Sequence, residues 1–240
     1  MQSMQNNGSS EGNQQHIRLG AALFNGDHGR LADEVARLTA AGLDFIHLDV
    51  FDGHFVSDLG FPPRTIAALR PLTRLPFEVH LGAVDPLRFI APLAEAGTNL
   101  VLVHLESLIL PYEAIFMMRE HKMKIGLALT LGTPVANLEP LITLIDAVLL
   151  LSRVTGEGAR GGSFDPRVLP RVRQLHDMIQ AADASVDIQV AGGVNRSHVA
   201  YLVAAGAATL AMGGGIYRVP DMAAEVAEIR QLAAQLGEKG

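Results

Sequence analysis

From Ile17 onward, short runs of leucine and β-branched residues alternate with longer segments in which apolar positions recur every three or four residues. Runs of the first kind read as strands and those of the second as amphipathic helices, and their strict alternation predicts βα units around a parallel sheet. Eight strands are predicted, at 17–24 (IRLGAALF), 44–50 (DFIHLDV), 76–82 (PFEVHLG), 99–105 (NLVLVHL), 124–130 (KIGLALT), 146–152 (DAVLLLS), 187–193 (DIQVAGG) and 208–214 (ATLAMGG). Strands 99–105 and 146–152 are almost continuously apolar, as strands covered on both faces are. The helical segments 29–42, 86–97 and 196–206 each close on a glycine, Gly42, Gly97 and Gly206, where a left-handed C-cap is wanted. Number and spacing together predict an α/β fold, a single (β/α)8 TIM barrel over residues 16–240, with a doubly wound open sheet as the minor alternative.

The first 15 residues, MQSMQNNGSSEGNQQ, offer nothing to bury and are expected to be a disordered polar tail. The chain has 240 residues, 49% of them hydrophobic, enough for a sizeable core. Its net charge of −6, with both signs interspersed, provides no basic stripe for nucleic acid. Without a cysteine, any metal must be held by imidazole and carboxylate. No apolar run suits a bilayer span or a signal peptide, so no membrane partner and a cytoplasmic location are expected.

Chemistry in such a barrel collects where strands end. His47 and Asp49 lie two residues apart and so share a strand face; His80 ends the third strand, His104 and Glu106 the fourth, Ser152 the sixth. Two imidazoles and one carboxylate suit a divalent ion, Zn, Mn, Fe or Co, with positions left open for substrate oxygens. Across the barrel stand three glycine-rich stretches, 155–164, 191–194 and 212–218, whose backbone N–H groups can approach a phosphate. Asp52 and His54 lie in a D-G turn, where Asp52 is expected to satisfy loop donors. His121, His176 and His198 fall in helical segments and are expected to face solvent.

These residues resemble the ribulose-phosphate 3-epimerase family over about 17–218. HLDVFDGHFV is similar to its H-x-D-x-M-D-G-x-F-V segment, FEVHL to D-V-H-L-M, VHLES to V-H-x-E, GTPVANLEP to the A-T-P turn and the helix after it, and GGGIY to the G-S-x-I-F phosphate loop. The resemblance implies a barrel epimerase that inverts a carbon beside a ketone of a phosphorylated sugar, one Asp taking the proton and a second returning it. It implies His47, Asp49 and His80 as metal ligands, Asp49 also as an acid/base, and Gly192, Gly193, Gly213 and Gly214 at the phosphate. Asn25 stands in place of the family's serine after the first strand, and Gly161 and Gly162 lie in the longer loop after the sixth; with His80 they complete the expected substrate contacts.

The chain departs from the family where its seventh strand reads D-G-G, since here Ala191 precedes Gly192 and Gly193. A fourth ligand and second acid/base are thereby replaced by a methyl group. The family's site methionines correspond to Phe51, Gly82 and Leu151, and the loop after strand six brings Glu157 and Arg160. Related barrel decarboxylases carry A-G-G but need a lysine where Phe51 stands. Two functions therefore compete: a metal-assisted ketose-phosphate epimerase or isomerase, and a sugar-phosphate-binding barrel that is non-catalytic or serves another substrate. A homo-oligomer is compatible with either.

Overall fold

The computed structural model describes residues 17–153 and 163–237. The strands are β1 Arg18–Ala22, β2 Phe45–Phe51, β3 Phe77–Gly82, β4 Leu100–His104, β5 Lys124–Leu129, β6 Ala147–Leu151, β7 Asp187–Ala191 and β8 Thr209–Met212. All pair in parallel, and β8 returns to β1 to close the barrel. The helices are α1 Leu31–Ala40, α2 Pro63–Leu69, α3 Leu87–Glu95, α4 Pro111–Glu120, α5 Val168–Ala181, α6 Arg196–Ala205, α7 Gly214–Tyr217 and α8 Met222–Gly237. The predicted barrel is thus observed. The expected tail over 1–15 lies outside the described residues.

Alternation along each strand sorts the core into two populations. Outward residues such as Ile46, Leu48, Val79, Val101 and Val148 pack under the helices in one cluster. Inward residues Phe45, Leu100, Leu102, Ala128, Ala147, Leu149, Leu151, Ala191 and Ala211 form a second, inside the barrel. Large and small residues interlock there: the Phe45 ring takes the space that a Cβ on Gly20 would need. Removing a fully buried Phe45 ring would cost about 3–5 kcal/mol.

Three predicted features end differently. Strand seven stops at Ala191, because Gly192 and Gly193 turn out of the sheet with φ of 103° and 69°. Between β5 and β6 the helix expected after the A-T-P-like turn is a 3-10 segment, Val135–Leu144; Pro140 within it has no N–H for an α-helical bond. His121 and His176 are exposed, but His198 is half-buried: its ring stacks on Phe164 and its Nδ1 accepts from the Asn195 N–H in a capping box. Gly42, Gly97 and Gly206 all have positive φ after their helices, as the sequence predicts. Among the described residues no helix is long and apolar enough to cross a membrane.

Candidate active site

Strand β2 carries Phe45, His47, Asp49 and Phe51 on its inner face, in that order towards the C-terminal mouth. After Asp52 the chain folds back along β2. Asp52 pairs with Leu59 in an antiparallel bridge, and the Phe61 N–H donates to the Asp49 carbonyl at 2.8 Å. Asp52 supports that loop as expected, its carboxylate accepting from the N–H groups of His54, Phe55 and Val84 at 2.8, 2.9 and 2.8 Å. The β2–β3 register sets Asp49 beside His80.

His47, Asp49 and His80 come together as a buried trio whose ligand atoms lie within 4.8 Å of one another. Asp49 Oδ1 is 3.5 Å from His47 Nε2 and 3.1 Å from His80 Nδ1. Two ligands about 2.0–2.1 Å from one cation stand about 2.8–3.4 Å apart at octahedral or tetrahedral angles. The donor set therefore fits a divalent metal in both chemistry and spacing. Burial pushes the Asp49 carboxyl up, but the His47 and His80 imidazoles together outweigh it and hold it well below the usual carboxylate range. Burial lowers His80 to about 4, against the pull of the neighbouring Asp49 carboxylate, so it stays available as a neutral ligand.

Behind the trio stand two residues that sequence reasoning placed at a strand end without a role. His104 Nε2 lies 2.8 Å from His80 Nε2, and His104 Nδ1 lies 3.1 Å from Glu106 Oε2. Glu106 Oε1 accepts from the Thr130 N–H at 2.8 Å, the Thr130 hydroxyl at 2.9 Å and the Thr133 hydroxyl. Burial pushes Glu106 up, yet His104 and the threonine donors bring it down to about 2. Phe51 meets the His80 ring edge-on at 5.3 Å and Phe55 tilts over His104 at 4.7 Å. Phe51 occupies the space a side chain at Gly82 would enter, 2.9 Å from its Cβ position, so these two departures from the family pattern are one packing exchange.

The opposite wall is apolar where the family carries a carboxylate: Ala191 and Leu151 are buried side by side in the β6–β7 register. The Ser152 hydroxyl faces the carbonyls of Ala191 at 2.9 Å and Gly192 at 2.5 Å, tying β6 to the glycine turn. The Arg153 stem crosses Gly192, its Cγ 2.7 Å from where a Cβ would stand. Asn25 packs against Gly213 with its Nδ2 2.6 Å from that residue's Cβ position, and the Arg218 guanidinium lies over Gly214. The structure thus brings Asn25, Gly213 and Gly214 to one side of the mouth, and Gly192 and Gly193 to the neighbouring strand end. Gly161, Gly162, Glu157 and Arg160 lie outside the described residues. Neither Arg153 nor Arg218 was singled out from sequence; cations beside glycine-rich turns were the available signal.

Among solved structures, the fold resembles the tryptophan synthase α-subunit of Pyrococcus furiosus, with TM-score 0.63 at 16% identity, covering 94% of this chain and 97% of that one. Thiamine phosphate pyrophosphorylase from Pyrococcus furiosus superposes with TM-score 0.60 at 14% identity, covering 93% and 98%. These likenesses define the class, a TIM barrel of this architecture. The chain belongs to the ribulose-phosphate 3-epimerase family, whose model matches residues 18–217. It is 35% identical to ribulose-phosphate 3-epimerase 2 of Cupriavidus necator over 218 residues, 89% of each chain. With the ribulose-phosphate 3-epimerase of Bacillus subtilis it shares 33% over 215 residues, 89% of this chain and 98% of that one.

Proposed function

We propose that this protein is a metal-assisted epimerase of a phosphorylated ketose, with Asp49 moving the proton on the carbon beside the carbonyl. The observation that carries this reading is the buried Asp49 carboxyl set between His47 and His80, at 3.5 and 3.1 Å. Ionised carboxylates are kept in a buried site only when partnered, and this one faces the mouth where substrates of such barrels bind. His47, Asp49 and His80 would hold a divalent cation, which when bound supplies positive charge to substrate oxygens as negative charge develops on them. Gly192, Gly193, Gly213 and Gly214 would anchor the phosphate, with Asn25 bracing the last loop. Anchored there, the substrate would place its acidic carbon against Asp49, and Phe51 and Phe55 would keep water from that face.

The opposite wall carries Ala191, which gives the reaction an asymmetry. Asp49 can remove a proton and return it to the face it left, but the wall at Ala191 and Leu151 has no proton to give. In deuterium oxide with ribulose 5-phosphate and added zinc or manganese, proton NMR should show deuterium entering beside the carbonyl faster than xylulose 5-phosphate forms. Inversion keeping pace with exchange would reveal a second acid and overturn the one-sided reading. Ala191→Asp should then raise the ratio of inversion to exchange.

Ala191 also favours a second reading, a barrel that binds a sugar phosphate without turning it over. Binding of ribulose 5-phosphate with no exchange in either direction would support that reading and defeat the first.

A further inference from the structure

The line Glu106–His104–His80–Asp49 has more acceptors than protons. It contains three contacts, at 3.1, 2.8 and 3.1 Å, and a carboxylate at each end. Each contact needs one N–H, and two imidazoles in their singly protonated forms bring two. One contact must go without, and where that gap falls decides which nitrogen His80 offers.

The partners of Glu106 locate the gap. Its Oε1 is engaged by the Thr130 backbone N–H, a donor that cannot reverse, and by two threonine hydroxyls. Its Oε2 faces His104 Nδ1, which must carry the proton. His104 Nε2 is then an acceptor, and at 2.8 Å, the shortest of the three contacts, two facing lone pairs would repel most, so the proton between the rings is assigned to His80 Nε2. His80 Nδ1 is left bare, 3.1 Å from an Asp49 oxygen that is also bare. Asp49 can bear this better than Glu106, having a second imidazole in His47 at 3.5 Å. Two lone pairs converging on one point suit a cation and no hydrogen bond.

We propose that Glu106 and His104 are positioning residues that set the direction of this hydrogen-bond chain, so that His80 presents a bare Nδ1 to the metal. This rests on the metal reading above and extends it to residues that touch neither metal nor substrate. Outer partners of this kind fix the tautomer and orientation of a ligating imidazole.

An isosteric substitution reverses the chain. In Glu106→Gln the amide oxygen stays with the Thr130 N–H, and the amide NH2 turns to His104 Nδ1, which must become the acceptor. His104 Nε2 then donates to His80 Nε2, and the His80 proton moves to Nδ1, between His80 and Asp49. Long-range proton–nitrogen-15 spectra read this directly in the metal-free protein: His80 Nε2–H in the parent chain, Nδ1–H in Glu106→Gln. Zinc affinity should fall about 10–100-fold in the variant, with an unchanged melting temperature before zinc is added. His104→Gln, whose carbonyl can accept from His80 Nε2–H, should keep tighter zinc binding than His104→Leu. A parent chain whose His80 carries its proton on Nδ1, or a Glu106→Gln variant with zinc affinity within threefold of the parent, would overturn the proposal. If the parent binds no zinc, the metal reading fails, while the spectra still decide the direction of the chain.

Discussion

The barrel has a polar cluster at each end, and the two are built on opposite principles. At the bottom, Arg18 meets Glu78 at 2.5 Å and Asp187 at 3.0 Å, and the Gln189 amide donates to both carboxylates at 3.0 Å. Thr209 donates its hydroxyl to Asp187 as well. Two carboxylates there are met by a fixed guanidinium and neutral donors, so the cluster is a plug in which both carboxylates are satisfied. At the top, Asp49 and Glu106 are linked by imidazoles that supply too few protons for the contacts they make. The bottom carries its own cation, whereas the top gathers two imidazoles and a carboxylate whose ligand atoms could hold one. Buried charge alone marks no active site; a shortfall of donors around it does.

Substituting the central carboxylate separates the two ends most sharply. Asp49→Asn should lower exchange and epimerisation by about two to four orders of magnitude while leaving the fold intact, since it would remove the proposed proton carrier. Turnover within tenfold of the parent, assayed at saturating metal, would move the acid/base elsewhere. Glu78→Ala should do the reverse. It strands Arg18 with only Asp187 and should cost about 3 kcal/mol of stability in urea titration, the low end for a broken buried pair because Arg18 is partly exposed. Activity per folded molecule should persist, and its loss would show that the plug shapes the top.

Much of this contrast is legible in the chain itself. His47 and Asp49 are two residues apart in an apolar run, so period-two alternation places both in the barrel once that run is read as a strand. The positions of the strand ends follow from glycine and polar punctuation, and His80 then arrives by register. His104 to Glu106 and Glu106 to Thr133 are different. The first depends on the 3-10 turn Leu105–Ser107 bringing Glu106 back towards the ring, and the second on a β5 end set by barrel closure. Neither follows from periodicity. Segment 135–144 shows the same limit: its apolar spacing suits a helix, but Pro140 decides the form.

Acid should loosen the top. His80 has its folded value lowered from 6.5 to about 4, so as pH falls through that window the unfolded chain takes up a proton the folded one refuses. Glu106, lowered from 4.5 to about 2, contributes stability present above 4.5 and lost as pH falls towards 2. Metal-free stability should therefore decline with pH from about 6.5 downward, and Glu106→Gln should flatten the more acidic part. A profile level between 6.5 and 4 would mean that His80 is already protonated in the folded chain.

The smallest effect belongs to the outermost donor. Thr133→Val removes one hydroxyl from Glu106 Oε1 but leaves the Thr130 N–H and hydroxyl at 2.8 and 2.9 Å. Glu106 then loses one of several donors, which should cost about 1 kcal/mol in urea titration. The Thr130 N–H still dictates which Glu106 oxygen turns to His104, so zinc affinity and the His80 tautomer should stay as in the parent. A variant at 133 that weakened zinc as much as Glu106→Gln would mean that the carboxylate's placement, and not the direction of its hydrogen bonds, controls the metal site.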